Sequence, residues 1–465
     1  MPERRGNGPV MDRARFQEVS PAMTECYPAQ LQFPSLVGKP VVVKFTAPEA
    51  SSDSGWLLLR QVDARLGVTR RLARCLHDER DPRKVRHEME TLLLQRVLQI
   101  AAGYEDCNDA DRLRFDPILK LCCGRRPGEA DLASQPTLSR WENSVGWGEL
   151  RAMRNALMRV FLSQQTRPPA QVVIDLDSTD DEVHGHQQLR LFNGYYDEYC
   201  YLPLIVTAQA DGGAFWPLFA WLRPALHGDR FQAATLLLGV IRKLRKAWPK
   251  TRLIVRADSG FASPELYRLC EDERVEYVFG LARNPRLERE IEEQLAAAHE
   301  LHCPQSGLPT QVFTEFHYHA EPWRRVRRVV GKAEVTAEGD NVRFVVHTLR
   351  EGTPREVYQF YAQRGEMENR IKELKLAIKV DRTSCHRFLA NAFRVILHVA
   401  AYLLWVAMRE LLAGTELAQA QVFTLRERLL KVAGFVTESV RRVLIRCPQA
   451  YPWPKLWFQI LDRLA

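Results

Sequence analysis

Cysteine is scarce in this chain. Ten occur in 465 residues, and no two stand as a C-x-x-C pair. The adjacent Cys122 and Cys123 fit no zinc-ligand spacing. A disulfide scaffold and a zinc ribbon are therefore excluded, and free thiols in a reducing compartment are expected. Long apolar runs are missing too. The most apolar stretch, Val395–Met408, is shorter than the about 20 residues that span a bilayer and includes His398, so it reads as a buried helix with no membrane partner. The opening residues MPERRGNGPVMDRARFQEV contain no apolar core of a signal peptide. No internal repeat and no low-complexity tract occurs, which sets aside solenoids and fibrous arrays.

What is present is an ordinary globular composition with a basic balance. Hydrophobic residues make up 46% and charged residues 26%; 66 Lys and Arg face 57 Asp and Glu, a net charge of +9. That excess suits a polyanionic partner. The length allows two to four domains of roughly 100–200 residues.

Residues 1–50 read as an irregular segment with a short strand near Val41–Phe45. Residues 51–165 read as helical, with the apolar residues at helical spacing. Arg70, Arg71, Arg74, Arg83, Lys84 and Arg86 crowd two adjacent helices there. They suit a DNA-binding domain, and a solvated basic face gives the same pattern. The acidic stretch Tyr104–Pro117 lacks the mid-loop glycine and closing glutamate of a calcium loop, so it reads as turns and caps. From 166 the period changes. Strands alternate with helices through 284, as in an α/β domain. Residues 285–356 alternate like an inserted β-rich subdomain. Residues 357–423 return to helix, beginning with one that runs from Val357 through Ile378. Residues 424–465 read as basic and helical.

Three acids stand out. Asp177 ends the buried run QVVIDLDST, and Asp258 ends TRLIVRADSGF. Glu368 lies in YAQRGEMENRIKELK. An acid at the end of a buried strand is costly unless paired or bound to a cation, and open α/β sheets place their ligands at that rim. Clustered carboxylates raise one another's pKa, a cost that a hard divalent cation removes. Asp175 rivals Asp177, since residues two apart on a strand face the same way; Glu366 rivals Glu368. Tyr361, Arg364, Glu368 and Lys375 stand at Y-x2-R-x3-E-x6-K, an order that puts a phenol, a guanidinium, a carboxylate and an ammonium on one helix face. EPWRRVRRVVGK sets Arg324 and Arg325 beside Trp323. That is either a base-stacking and phosphate contact or a buried strand tryptophan. His184 and His186 form an H-x-H pair with no further zinc ligand in view. FNGYYDEYCYLPL reads as a hairpin with core aromatics.

The Y-x2-R-x3-E-x6-K order is similar to the signature of bacterial insertion-sequence transposases of the Asp-Asp-Glu type. IDLDSTDDEVHGHQQLRLFNGYYDEYCYLPL, VRADSGF, VEYVFGLARNPRL, GYEDCNDADRLRFDP and LASQPTLSRWEN resemble the "thirteen-eighty" insertion-sequence family. The likeness covers roughly residues 40–420. It implies a ribonuclease-H-like α/β catalytic core with a β-rich insertion and helical N- and C-terminal regions. It implies Asp177, Asp258 and Glu368 as catalytic and metal-holding residues, with two Mg2+ ions or Mn2+ in their place. Tyr361, Arg364 and Lys375 are implied as DNA-holding, and Trp323, Arg324 and Arg325 join them on the basic-aromatic argument. DNA is the expected partner, as terminal inverted repeats and as target, bound by a homodimer or higher assembly. A cytoplasmic, nucleoid-associated enzyme is expected. A DNA-binding regulator derived from a transposase, without catalysis, is the alternative.

Overall fold

The computed structural model describes residues 31–36, 39–225, 230–303 and 308–464; readings that fall on residues 1–30 lie outside them. Residues 1–48 and 49–465 are two units. In the first, β1 (Leu31–Leu36) and β2 (Lys39–Val43) pair antiparallel. The second opens with β3 (Ala50–Ser51) and carries everything that follows.

A mixed sheet organises this second unit. Its spine is β4 (Gln171–Ser178), where Val172, Ile174 and Leu176 are fully buried. Burial on both faces is why the run reads as nearly continuous apolar residues without alternation. Three short strands, β5 (Asp181–Glu182), β6 (Leu191–Asn193) and β7 (Glu198–Tyr201), make a small antiparallel sheet after it. The main sheet resumes on one side of β4 with β8 (Leu204–Ala210) and β9 (Phe215–Trp221), both antiparallel. On the other side, β10 (Arg252–Ala257) and β11 (Glu276–Leu281) run parallel to β4. Helices Ala233–Ala247 and Pro264–Asp272 precede them as the crossovers that parallel strands require.

The sheet does not stop at β11. β12 (Thr310–Tyr318), β13 (Arg327–Thr336), β14 (Gly339–Asp340) and β15 (Arg343–His347) extend it. β15 lies antiparallel against β11, β13 against β15, and β12 outermost, with β14 paired to β13. The strands of the interval 285–356 thus extend the central sheet and do not form a sheet of their own. Alternating residues look the same in either arrangement, because the side-chain period says nothing about which strand lies alongside.

The helical residues after 50 share their core with the rest. Helix Met89–Ala101 ends on side-chain donors: the indoles of Trp56 and Trp405 donate to the carbonyls of Leu98 and Ala101, both at 3.0 Å, and Arg426 Nε reaches Ala101 O at 3.1 Å. The last carbonyls of a helix lack helical donors; Leu98 O still takes the Ala102 N–H at 3.0 Å beside the indole. Helix Phe388–Leu411 is longer than its apolar stretch suggests. By length and composition it could cross a membrane, but 94% of its apolar window is buried inside the protein. Arg394 of this helix and Arg96 of Met89–Ala101 hold Glu142 between them, at 2.7 and 2.8 Å. All three side chains are buried.

Residues 424–465 are not helical throughout. β16 (Gly434–Glu438) and β17 (Val443–Arg446) form a hairpin that pairs with β3, and helix Pro454–Leu464 follows. Arg441 and Arg442 belong to the hairpin turn, closed by Ser439 N–H on Arg442 O at 2.9 Å.

Candidate active site

Adjacent parallel strands deliver the two aspartates. Leu176 pairs with Ala257 in register, so the residues that follow, Asp177 and Asp258, emerge on one rim. Asp177 Oδ1 accepts the Ser178 N–H at 2.9 Å. Asp258 opens the short 3-10 turn Ser259–Phe261, its Oδ1 accepting the Gly260 N–H at 2.9 Å. This local capping fixes the carboxylate where the strand ends.

The third acid arrives on helix Gly365–Leu376. Arg364, just before that helix, donates to Asp177 Oδ2 and to Glu368 Oε1, both at 2.7 Å. One guanidinium therefore ties together carboxylates contributed by distant parts of the chain. Asp177, Asp258, Arg364, Glu368 and Lys375 line a single cleft of about 440 Å³. Burial pushes Asp177 up to about 7; Arg364 opposes that, while Asp258 and Glu368 add to it. Four carboxylates, those three acids and Asp381, line the cleft against Arg364, Lys372 and Lys375. Lys375 Nζ bonds the carbonyl and carboxylate of Asp180, at 3.1 and 3.0 Å, and pins the segment after β4 to the helix.

The rival acids are used otherwise. Asp175 is fully buried and takes a bidentate pair from Arg256 on the neighbouring strand, at 2.7 and 2.9 Å. Arg256 also donates to Phe360 O at 2.7 Å, which moors the preceding helix to the sheet. Glu366 pairs with Arg370 at 3.3 Å on an exposed face.

The single helix expected from Val357 through Ile378 is broken. Helix Pro354–Ala362 ends, and Gln363 and Arg364 turn the chain into the next. Tyr361 therefore reaches the site from a different helix than Glu368. Its phenol is raised in pKa by burial and has Arg364, Asp258 and Asp177 as charged neighbours.

Sequence reasoning missed Gly280. A Cβ there would lie 2.6 Å from the Tyr361 hydroxyl and 2.9 Å from the Ser259 nitrogen. Its absence lets β11 press directly against the Asp258 turn. A glycine inside a strand pattern is the available signal for such an approach. Gly280→Ala is expected to cost about 1–3 kcal/mol as an overpacked site, read by urea denaturation, because both neighbours must shift.

Trp323, Arg324 and Arg325 do not line the cleft. Trp323 is buried against Tyr267 and Tyr318, with ring centroids 5.4 and 5.6 Å away, and Arg327 stands 5.1 Å over its ring. This corrects the base-stacking reading: an aromatic box already occupies the ring. Glu271 holds Arg325 and Arg327, at 3.2 and 3.0 Å, and Arg324 is exposed. His184 contacts Glu182 and His186 contacts Arg190, without a metal-binding group. The 191–201 hairpin forms, but Phe192, Tyr195 and Tyr199 are exposed; Tyr196 is half-buried against Cys200, Leu202 and Ala225, and Tyr201 is buried. Among the described residues no three His, Cys, Asp or Glu side chains are gathered to hold a metal ion; Arg364 stands between two of the candidate acids.

A search of curated proteins returned no match. A family profile described as "Transposase DDE domain group 1" matches residues 33–465. The matched span includes both strand-end aspartates and the Glu368 helix, and the chain belongs to this family of DDE-domain transposases.

Proposed function

We propose that this transposase cleaves DNA at the ends of a mobile element and joins the freed ends to target DNA, with Asp177, Asp258 and Glu368 as its catalytic carboxylates. One observation carries the reading: three acids from separate chain segments meet in one cleft, and Asp177 is held near neutrality by burial and by the other two. The strand order β9-β8-β4-β10-β11, antiparallel on one side of β4 and parallel on the other, supports a ribonuclease-H-like core. The quoted motifs support placement in the "thirteen-eighty" insertion-sequence family.

The donor set fits Mg2+, with Mn2+ as a substitute. It offers oxygen ligands alone and an uncompensated negative charge, and Mg2+ needs only one or two carboxylates because water and phosphate oxygens complete its shell. Asp177 and Asp258 would hold the first ion, and Glu368 would join the set once a phosphate draws Arg364 away. When bound, such ions supply Lewis-acid stabilisation of phosphoryl charge and a more acidic water. The chain's own groups do the positioning. Arg364 can take a phosphate through two parallel N–H bonds. Lys375 keeps the segment after Asp177 against the Glu368 helix. Tyr361 braces Arg364 from the other side. Two DNA ends have to be held at once, so at least a homodimer acts in the complex.

The test is strand cleavage of duplexes carrying the flanks of the gene, with Mg2+ and with EDTA. Nicks at the flank ends that require the metal are expected, with joined products in the presence of target. The rate should climb with pH through about 7, because below that value a proton on Asp177 competes with the cation. Binding without cleavage in any divalent metal would overturn the proposal and favour a regulator.

A further inference from the structure

A second cavity lies elsewhere. It measures about 1350 Å³, lies among the helices between residues 77 and 149, and shares no lining residue with the catalytic cleft. Six Arg and Lys side chains line it against four carboxylates. Two of those carboxylates are already engaged. Asp78 is held bidentately by Arg80, at 2.7 and 2.6 Å, and Glu149 accepts the backbone N–H groups of His77 and Gly146, both at 2.8 Å. The cations are less engaged. Lys84, Arg86 and Arg140 make no ion pair among the described residues and are exposed at the surface.

Arg125 is built into the wall. Its guanidinium donates to the carbonyls of Arg86, Ala130 and Asp131 and to Nδ1 of His87, which lies 2.9 Å away. All these acceptors are neutral when His87 is unprotonated, so the arginine is held in place without an ion pair among the described residues. Burial, then Arg125, Arg80 and Arg86, push His87 down to about 4, which keeps it an acceptor at neutral pH.

We infer that this cavity binds an unpaired stretch of DNA strand, with its phosphates on Lys84, Arg86, Arg125 and Arg140. The inference rests on the DNA-cleaving reading above and adds a second contact outside the catalytic cleft. Shape argues for a strand over a duplex. Duplex readers protrude into a groove about 12 Å wide, and this surface is concave. Size argues against a small anion: pockets for single small molecules measure about 300–1,000 Å³, and this one exceeds them. Guanidinium planes serve unpaired bases as stacking surfaces, and Met89 and Leu132 add apolar contact.

The experiment uses the full chain and fluorescence anisotropy. A labelled 12-nucleotide oligothymidylate is compared with a fully paired duplex, over a salt series. The double variant Arg86→Ala, Arg140→Ala should weaken oligothymidylate binding about tenfold near 0.1 M salt and flatten its salt dependence by about 0.7 per cation removed. Duplex binding should fall by a smaller factor. Lys84→Ala, on the exposed turn Pro82–Lys84, repeats the test if the double variant melts early. Oligothymidylate affinity within twofold of wild type overturns the inference. Equal losses for strand and duplex overturn it as well, by assigning the cavity to paired DNA. Asp177→Asn should keep oligothymidylate binding. If the expected losses appear while wild type cleaves nothing, the cavity stands and the catalytic proposal alone falls.

Discussion

Asp177→Asn is expected to lower DNA cleavage by about 10³-fold or more while the protein stays folded and still binds DNA. Asparagine keeps the shape and one oxygen, which can serve the Ser178 N–H or Arg364 but not both, since the two use different carboxylate oxygens. It removes the charge that a metal ion would need. Lewis-acid stabilisation is worth several kcal/mol, and each 1.36 kcal/mol is about a factor of ten in rate. Asp175→Asn, two residues away, should behave in the opposite way. It leaves Arg256 buried without its counter-charge, and breaking such a pair costs about 3–5 kcal/mol. Denaturation would report that loss, while the folded fraction would still cleave. Cleavage assays and urea melts on the two variants separate the roles. If Asp177→Asn cleaves normally, or if both variants lose only stability, the catalytic assignment is wrong.

Glu142→Gln should be among the most destabilising single changes in the molecule. Glu142 lies between Arg96 and Arg394, and Arg96 and Glu142 have no exposed side-chain surface. Burial alone would raise the Glu142 pKa, yet the two arginines hold it below its usual value. Removing the charge strands two guanidinium groups in the interior. The expected loss is about 3–5 kcal/mol, as for a broken buried pair, seen as a lower urea midpoint with an unchanged slope. The pH sign follows from the depressed pKa. The stabilisation is present above the ordinary glutamate range and is lost as pH falls through the folded-state value. A midpoint within the error of wild type would show that the arginines find other partners. Because the helices before 165 share one apolar core with Phe388–Leu411 apart from this link, the variant should still unfold in one transition, not shed the residues before 165 first.

The strand ends that carry the candidate acids were largely legible in the sequence. QVVIDLDST and TRLIVRADSGF announce buried strands that end in acid, and two such strands had to end somewhere near each other. Choosing between Asp175 and Asp177 needed more, because both face the same side of β4. Only the position of Arg256, directly across from Asp175, assigns one to the sheet and leaves the other to the cleft. Glu368 was found by the order of four residue types. Its helix was misjudged, because nothing in the apolar period marks the break at Gln363 and Arg364. For Trp323 stacking and burial both stayed open, since a sequence does not reveal that Tyr267 and Tyr318 converge on it. Gly280 showed only as a glycine inside a strand; what it makes room for, Tyr361 and Ser259, is far from it in sequence. The C-terminal hairpin was hidden by Arg441 and Arg442, which read as a basic helix face until β3 supplies the strand that completes a sheet.

The continuity of the central sheet bears on solubility. Tyr277, Val278 and Phe279 of β11 are fully buried, and β15 occupies the hydrogen bonds on their outer side. Were the interval 285–353 shed, that side of β11 would present a row of free amides and carbonyls flanked by apolar side chains. Such a border recruits strands from other molecules. The long stretch between the second aspartate and the glutamate is therefore more than spacing. By capping the strand that supports the Asp258 turn, it keeps separate copies of the chain from joining through their sheets.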